Sequence, residues 1–302
     1  MLIDPRHLRY LLAVARAGSF SKAAAALAIS QPALSTSIQR LESVTGAILF
    51  ERSRHGATLT PAGELLLRHA ERMEKVLTGA EEELRLNALS VRGPLTVGGT
   101  PLAVMGIIPA AVARLSHDLG PVRVNICEGG DEELLERLLK FELDVLVSTI
   151  DLGVTHPLVC DVPLFKAGLF VVVRPGHPLA GRESLTLREL DSYQLVLPHP
   201  SGAYTVQLES TFVASGCRLP EAVVYTSSFA ILKEVVIQSD AVTLVPRQIV
   251  RSDLERRQLV RIPIEEPVGL RTFGMRLIKD RKLSGTGTRF VEHLKGLAPD
   301  FA

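Results

Sequence analysis

Residues 30–42, SQPALSTSIQRLE, constrain the fold of this chain more than any other segment. Leu34, Ile38 and Leu41 recur at i, i+4 and i+7, so a helix would place their side chains on one face, pointing into a core. Ser30 is a good N-cap residue, and a proline in the first turn is tolerated because its missing N–H would have no helical partner there. The pattern predicts a helix that begins close to Ser30.

The opposite face of this predicted helix carries short or forked polar groups together with small apolar groups. Its members are Gln31, Pro32, Ala33, Ser35, Thr36, Gln39 and Arg40. Amides pair with adenine, guanidinium with guanine, and small apolar groups with thymine methyls, so the major groove of DNA could accept this face. We therefore predict a DNA-reading helix, although the helical pattern alone would also fit a small packing unit.

Two further helices are predicted before this one. The first covers residues 8–17 and ends at Gly18, a residue that suits the left-handed position after a helix. The second covers residues 22–28, where a run of alanines gives high helix propensity, and either Ser19 or Ser21 could cap it. Three short helices in this order are typical of a helix-turn-helix unit.

A hairpin is predicted after the third helix. Residues 52–60 suggest two short strands around His55 and Gly56. Arg52 and Arg54 on this hairpin suit contacts with phosphates or with the minor groove. Outside the third helix, the candidate DNA-binding residues are Ser21, Lys22, Arg52 and Arg54.

Five motifs occur in order within residues 1 to about 90, namely FSKAA from Phe20, SQPALS from Ser30, IQRLE from Ile38, LFER from Leu49 and LTPAGE from Leu59. Through these motifs the segment resembles the N-terminal part of LysR-type transcriptional regulators. Their order and spacing together are highly specific. The resemblance implies a winged helix-turn-helix DNA-binding domain over residues 1–60. Thr36 and Ser37 stand where many members carry basic or amide side chains, so operator preference does not carry over from relatives.

Composition favours a cytoplasmic protein without a membrane partner. The chain of 302 residues is 46% hydrophobic, which is enough for two or three folding units with real cores. Its longest apolar runs, such as residues 102–113, are too short to span a membrane, and the N-terminus has no signal-peptide pattern. Cys127, Cys160 and Cys217 lack metal-like spacing, so we expect buried reduced thiols, with a thiol redox switch as the alternative.

Positive charge is concentrated at the front of the chain. Residues 1–65 hold seven Lys and Arg against four acids, residues 66–92 hold five against five, and the remainder holds 22 against 24. The surplus therefore lies in the predicted DNA-binding segment, but it is small. One copy should bind DNA weakly, and dimerisation would double the charge.

Residues 61–92 predict a long linker helix. Thr60 is a cap, Pro61 suits the first helical position, and the helix could run to about residue 89. Apolar positions in steps of four and three form a coiled-coil seam of Leu66, Ala70, Met73, Leu77, Ala80, Leu84 and Asn87. The alternative is an amphipathic helix lying on its own domain. We favour a dimer, because a helix of ~28 residues is ~42 Å long and would extend past a small headpiece. Two headpieces in successive grooves imply roughly palindromic operators.

Beyond residue 93 the pattern changes to alternating strands and helices. Predicted strands cover residues 95–97, 122–126, 145–149, 169–173, 194–197, 222–225 and 241–245. Predicted helices cover residues 102–116, 132–141, 204–214 and 229–239. Such alternation indicates α/β architecture with parallel sheets.

The family resemblance extends to this region. Residues 93–302 resemble an effector-binding domain similar to a periplasmic binding protein, with two α/β lobes joined by two crossing strands. Lobe I would cover about residues 93–164 plus 267–302, and lobe II about residues 165–266, with Pro163 and Pro267 near the crossings. The fold class expected for the whole chain is α/β, with the winged helix-turn-helix and the linker helix in front.

Ligands of open α/β sheets collect at the carboxyl ends of strands, beside helix N-termini. Applied to the predicted strands, this rule nominates Thr100, Glu128, Gly129, Thr149, His199, Ser201, Gly202, Ser227 and Phe229. These loops also correspond by position to the effector-contacting loops of the family. The hydroxyl groups of the threonines and serines in this set could form hydrogen bonds with a polar ligand, and the Phe229 ring could flank that ligand. For each residue a helix cap or a turn is an equally good reading, and His199 could be an exposed loop residue. Acidic Glu128 disfavours a doubly charged anion.

Two other function classes compete with a regulator. An enzyme is disfavoured because no nucleophile elbow, P-loop, metal cluster or full dinucleotide fingerprint is present, so we expect no catalytic residue, metal or cofactor. A transport-associated solute-binding protein would fit the C-terminal two-thirds, but it would need a secretion signal. A LysR-type regulator would have double-stranded DNA, a small metabolite and further copies of itself as partners, as a dimer or tetramer, with RNA polymerase as a further candidate.

Overall fold

The computed structural model describes residues 3–53, 56–88, 93–150, 156–199, 202–266 and 269–301. The chain divides into two compact units, Met1–Leu89 and Ser90–Ala302. Among the described residues, no helix combines the length and the apolar content needed to cross a membrane.

Three short helices open the first unit, and their ends follow local signals in the sequence. They are α1 (Pro5–Ala17), α2 (Phe20–Ala26) and α3 (Gln31–Thr45). The Ser30 hydroxyl caps α3 by accepting the Ala33 N–H at 3.4 Å, which confirms the predicted start of this helix. Gly18 ends α1 with φ 61° and Gly46 ends α3 with φ 68°, a conformation that glycine adopts without strain.

The predicted hairpin is present as a two-stranded antiparallel wing. Its strands are β1 (Phe50–Ser53) and β2 (Gly56–Leu59), with Phe50 opposite Leu59. Pairing begins two residues earlier than predicted because Phe50 is a core residue, 4% exposed, whose ring meets Phe20 edge-on at 5.6 Å. The Ala57 N–H donates to the Gly18 carbonyl at 2.9 Å, so the wing is held against the turn between α1 and α2.

The predicted long helix is α4 (Pro61–Ala88). Its first half lies on its own unit, since Ala70 is fully buried and Leu66 packs against the same core. Arg16 of α1 donates to Glu74 at 3.1 Å, and this bond holds the pKa of the Glu74 carboxyl below its ordinary value. Farther along, Leu77 is 50% exposed. The interpretation as an amphipathic helix lying on its own domain therefore holds for the first half, and the coiled-coil seam stays a prediction for the second.

The second unit contains the remaining strands. They are β3 (Leu95–Gly99), β4 (Val124–Glu128), β5 (Val145–Thr149), β6 (Val159–Ala167), β7 (Leu169–Val173), β8 (Leu195–Pro198), β9 (Val223–Thr226), β10 (Thr243–Pro246), β11 (Val260–Ile262) and β12 (Arg271–Ile278). Its helices are α5 (Pro101–Met105), α6 (Ile107–Leu119), α7 (Asp131–Leu139), α8 (Gly202–Ala214), α9 (Phe229–Gln238), α10 (Arg251–Glu255) and α11 (Gly285–Leu297).

Within the described part of the chain these strands form mixed sheets, whereas parallel sheets were expected. One sheet has the order β4-β3-β5-β12-β6, in which β3 is parallel to β4 and β5 while β12 is antiparallel to β5 and β6. A second group joins β10-β7-β11, all antiparallel, and a third pairs β8 with β9 in parallel. The antiparallel members include β6 and β12, which were not predicted as strands. The expected α/β class is nevertheless confirmed.

The single helix predicted over residues 102–116 is divided into α5 and α6. Gly106 separates them with φ −109° and ψ −98°, outside the helical region. A Cβ at Gly106 would lie 2.8 Å from the Leu102 carbonyl oxygen, so this bend requires a residue without a side chain.

One apolar cluster extends through both sheet systems of the second unit. It contains Leu102 and Ile107 next to the first sheet, and Val172 and Val245 from the strands of the other group. Gln248 adds a polar link, because its side-chain amide donates to the Phe301 carbonyl at 2.6 Å. The two halves of this unit are therefore joined by a continuous core.

The three cysteines are free thiols, but their expected burial was wrong for Cys160, which is exposed. This residue occupies an outward position on β6, the last strand of its sheet. Cys127 and Cys217 are half-buried.

Candidate functional site

The third helix separates its residues by burial as its spacing predicts. Leu34, Ile38 and Leu41 are each 0% exposed and form the centre of the first unit's core. The exposed residues of the opposite face are Gln31, Pro32, Ala33, Thr36, Gln39 and Arg40, while Ser35 is half-buried. The apolar side anchors the helix, and the polar side, which carries one charged residue, Arg40, is available to a ligand.

Hydroxyl groups on α3 are oriented by the helix itself. Thr36 Oγ1 donates to the Pro32 carbonyl at 2.9 Å, and Ser37 Oγ donates to the Ala33 carbonyl at 2.9 Å. Because the Thr36 proton is used inside the helix, its hydroxyl can only accept from a partner outside, and its methyl offers an apolar contact. A base edge that offers a donor or a thymine methyl matches this surface.

The wing is positioned from α3 and from the start of α4. Glu42 Oε1 accepts the Leu49 N–H at 2.8 Å and the Phe50 N–H at 3.4 Å, so one carboxylate holds the entry into β1. Thr60 Oγ1 donates to the Ile48 carbonyl at 2.6 Å and also accepts the Gly63 N–H at 3.0 Å. The wing thus has little freedom relative to the third helix.

The other candidate DNA contacts lie on α2 and on the wing. Ser21 and Lys22 are exposed in the first turn of α2. Arg52 lies on β1 opposite Ala57. Arg54 lies outside the described residues.

A groove beside α3 was not predicted from the sequence. It has a volume of about 380 Å³ and is lined by residues that include Arg6, His7, Tyr10, Ser37 and Arg40. Asp4 closes one side, since its carboxylate pairs with Arg6 at 3.1 Å and accepts the Arg6 N–H at 2.9 Å, which lowers the pKa of Asp4. The groove joins Arg40 to the start of α1, a juxtaposition that only packing creates.

Four candidate effector residues lie at one edge of the first sheet. Thr100, Glu128 and Gly129 directly follow or end β3 and β4, and Thr149 ends β5. Because these three strands are parallel, their carboxyl ends meet, with Gly99 paired to Glu128. Thr149 is 3% exposed and Glu128 is exposed, so the edge combines a buried hydroxyl with an acidic rim.

The Thr100 hydroxyl has an unusual environment. The residue is 8% exposed, and its Oγ1 has no hydrogen-bond partner among the described residues. The backbone around it is well bonded, since the Thr100 N–H donates to the Val147 carbonyl at 3.1 Å. An unpaired buried hydroxyl costs about 1–3 kcal/mol, so a ligand able to reach it would recover this free energy.

A second group of candidate effector residues follows β8 and β9. His199 is exposed, its N–H donates to the Thr226 carbonyl at 2.9 Å, and its ring lies 6.4 Å from that of Tyr225. Ser227 is exposed, whereas Phe229 at the start of α9 packs against the large apolar cluster. Gly202 begins α8, and Ser201 lies outside the described residues.

Two helices beside this second group are held by side-chain bonds. The Tyr204 hydroxyl in the first turn of α8 donates to the Leu244 carbonyl at 2.7 Å, and burial raises the pKa of this hydroxyl. Ser228, next to Ser227, caps α9 by accepting the Ile231 N–H at 3.4 Å. The cap of α9 is therefore Ser228 and not Ser227, for which a helix cap was the alternative to ligand contact.

A buried polar cluster beneath the first sheet edge was not found from the sequence. Burial raises the pKa of the Asp131 carboxyl, while a hydrogen bond from Ser148 and the charge of Arg276 oppose the rise. Arg276 is 2% exposed, and its Nε lies 3.4 Å from Asp161 Oδ1. Asp131 and Ser148 are sequence neighbours of nominated loop residues, which was the available signal. Arg276 belongs to β12, which the sequence pattern did not reveal.

Metal ligation is not indicated by this arrangement. Across the ranges that the structure describes, no three His, Cys, Asp or Glu side chains come together as a metal site.

Comparisons with known families assign both units. Residues 5–64 match bacterial regulatory helix-turn-helix proteins of the lysR family, and residues 89–299 match the LysR substrate binding domain. The chain is 32% identical over 278 residues to the HTH-type transcriptional regulator YdcI of Escherichia coli (strain K12), covering 88% of each. It is 33% identical over 261 residues to the SDS degradation transcriptional activation protein of Pseudomonas sp. (strain ATCC 19151), covering 85% of this chain and 83% of that protein.

Solved structures of whole regulators share the fold. A hydrogen-peroxide-bound OxyR mutant of Corynebacterium glutamicum is 26% identical, with a TM-score of 0.58 over 99% of this chain and 94% of that one. Full-length CbnR in complex with its target DNA is 23% identical, with a TM-score of 0.55 over 98% of this chain and 99% of that one.

Proposed function

This chain belongs to the LysR family of DNA-binding transcriptional regulators, and we propose that it reads its operators with α3 and is controlled by a small metabolite bound at the strand ends of its second unit. The proposed domains are the winged helix-turn-helix over residues 1–60, the linker helix over 61–92 and the effector-binding domain over 93–302. Lobe I of the latter covers about 93–164 plus 267–302, and lobe II about 165–266.

The burial pattern of α3 is the observation that carries this proposal. Three fully buried apolar residues hold the helix from behind, and the exposed side presents two amides and one guanidinium. Gln31, Gln39 and Arg40 have the hydrogen-bonding groups that discriminate adenine and guanine in the major groove. Lys22 and Arg52 are suited to phosphate contacts, which position the helix without selecting a sequence.

A dimer is part of the proposal. The exposed second half of α4 offers Leu77 at 50% exposure, and Ala80 is also exposed. Pairing of two such helices would bury these side chains and double the small positive surplus of the headpiece. A two-fold pair of headpieces implies roughly palindromic operators, and tetramers and contacts with RNA polymerase are compatible extensions. Because its ligand is DNA, the regulator would act in the cytoplasm.

Control by a metabolite requires that the ligand bind two arrangements of the regulator with different affinity. The parallel strand ends at Thr100, Glu128 and Thr149 form one side of the proposed effector site. The loops at His199 and Ser227 form the other. The Thr100 hydroxyl, which has no hydrogen-bond partner among the described residues, is a group that such a metabolite could bind. Because Glu128 makes the edge acidic, a neutral or singly charged polar metabolite is a better match than a dianion.

The test begins with the DNA. Genomic fragments bound by the full chain are sequenced, and the products of the neighbouring genes suggest metabolites whose effect on operator binding is then measured. Thr100→Trp should abolish the metabolite response but retain operator affinity, because the indole fills the proposed site and α3 belongs to the other unit. Thr100→Val, which removes the hydroxyl at nearly constant shape, should weaken the response only in part. An unchanged response in Thr100→Trp would place the effector elsewhere, and absence of enriched DNA fragments would refute operator reading.

A further inference from the structure

A depression on the second unit lies apart from the proposed effector residues. It has a volume of about 590 Å³, within the range of small-molecule sites. Its lining consists of Pro175, Arg247, Arg251, Leu254, Glu255, Arg257, Leu259, Val260 and Arg261. None of the nine residues belongs to the strand ends nominated for the effector.

The lining is strongly basic within an otherwise slightly acidic region. Residues 247–261 contain five arginines against Asp253 and Glu255, whereas residues 93–302 as a whole hold 22 basic against 24 acidic side chains. Such a concentration of positive charge on one surface attracts negatively charged ligands.

Both acids of this segment are already paired. Asp253 is buried and accepts from Lys233 Nζ at 2.9 Å, while Glu255 accepts from Arg251 Nε at 3.1 Å. By contrast, Arg247, Arg257 and Arg261 form no ion pair with any carboxylate of the described residues. Three exposed guanidinium groups on this rim therefore have their charge available to an anion.

Local structure holds the rim in place. The Arg261 guanidinium lies over the Phe170 ring at 4.9 Å, and that of Arg251 lies over Phe301 at 5.2 Å. Arg257 adopts φ 57°, the left-handed conformation, and its N–H donates to the Leu254 carbonyl at 3.1 Å. The turn after α10 therefore fixes the direction in which the Arg257 side chain points.

The floor of the depression is apolar. Leu259 is 2% exposed, and Leu254 and Val260 are half-buried against the neighbouring cores. An apolar floor under a cationic rim matches a molecule with an anionic head and a hydrocarbon body. Duplex DNA would use the guanidinium groups but leave the concave floor unfilled, and an acidic protein surface would lack a body small enough to enter it.

We propose that this depression, the arginine pocket, binds amphipathic organic monoanions such as medium-chain carboxylates or alkyl sulfates. The head pairs with Arg247 and Arg261 at the rim, and the hydrocarbon chain covers the half-buried Leu254 and Val260. A guanidinium and a carboxylate form a charge-assisted pair, which is stronger than a neutral hydrogen bond. The site is independent of the effector site and would give the regulator a second input.

Isothermal titration of the full chain with octanoate tests the proposal. Saturable binding is expected, with affinity rising about twofold or more for each methylene from hexanoate to decanoate. The affinity for the uncharged 1-octanol should be lower by about tenfold or more, because an alcohol cannot form an ion pair with a guanidinium. No saturable octanoate binding, or equal affinity for 1-octanol, would overturn the proposal.

Matched variants locate the binding. Arg247→Gln and Arg261→Gln should each weaken octanoate binding about tenfold, and Arg261→Lys should lose less because it keeps the charge. Arg218→Gln removes an exposed arginine outside the pocket and should bind like the unmodified chain. Thr100→Trp should also leave octanoate binding intact, which separates this site from the proposed effector site. If the two rim variants bind normally, or if Arg218→Gln is equally impaired, the anion is held elsewhere.

Discussion

The carboxylate of Glu42, near the end of α3, accepts the N–H of Leu49 at 2.8 Å where the chain enters the wing. This bond joins the helix proposed to read bases to the hairpin proposed to contact the backbone. Leu49 is itself 1% exposed, so its N–H has no access to water as an alternative partner. The helix and the hairpin should consequently move as one body.

Replacement of Glu42 should test that coupling. In Glu42→Ala the Leu49 and Phe50 N–H groups lose their acceptor, which should lower the free energy of unfolding of the first unit by about 1–3 kcal/mol. Glu42→Gln retains a side-chain oxygen and should lose less. Urea unfolding of the full chain measures the first quantity, and operator affinity should fall in the same order. Equal stability of all three proteins would show that the bond has no structural importance.

Base reading by α3 predicts a selective loss. Gln39→Ala should cost about 1–3 kcal/mol of binding free energy at one or two base positions of the operator and little at the others. Competition assays with single-base operator variants measure this profile. Gln258→Ala, an exposed glutamine of the second unit, is the control and should leave the profile unchanged. A uniform loss across all sequences would contradict direct readout by Gln39.

Two glycines of α4 should respond oppositely to alanine. A Cβ at Gly63 would lie 2.2 Å from the Leu49 carbonyl oxygen, a rigid backbone atom, whereas a Cβ at Gly79 meets nothing within 4 Å. Gly63→Ala should therefore destabilise the first unit by more than about 2 kcal/mol, since the backbone must shift. Gly79→Ala should stabilise it by about 0.5–1 kcal/mol through helix propensity. Thermal unfolding of both variants gives the comparison, and a tolerated Gly63→Ala would refute the close contact.

Dimerisation through the predicted seam can be separated from general surface effects. Leu77 lies on the seam and Val76 beside it, and each is 50% exposed. Leu77→Asp should shift the protein toward monomers by placing a charge between the helices, whereas Val76→Asp, one position around the helix, should dimerise nearly normally. Sedimentation velocity over a range of concentrations measures both. Equal behaviour of the two variants would argue against pairing along this seam.

Features determined by neighbouring residues were predictable from the sequence. The start of α3 depends on Ser30, its burial follows from the spacing of Leu34, Ile38 and Leu41, and Gly18 ends α1 as expected. Strands β5 and β7 also have the bounds predicted from their apolar runs. In each case the relevant interactions lie within a few residues along the chain.

Features that depend on distant partners were not predictable. Strand β12 carries Arg276, a residue type that disfavours a buried strand until Asp161 from β6 lies beside it. The division between α5 and α6 depends on the close approach of Gly106 to Leu102. In the candidate site the strand ends could be nominated from a general rule, but the unpaired state of Thr100 Oγ1 is a result of tertiary packing.

The apolar cluster that runs through both sheet systems of the second unit limits how a metabolite could act on this regulator. Separating the two halves of this unit would expose side chains such as Leu102 and Val245 to water. This exposure would cost about 2.5 kcal/mol for each 100 Å² of apolar surface. A weakly bound metabolite cannot supply several such increments. The metabolite should accordingly cause a small rotation of the intact halves rather than a wide opening between them. The sensitivity of the regulator to its metabolite would then depend on the rigidity of the protein around the proposed effector site.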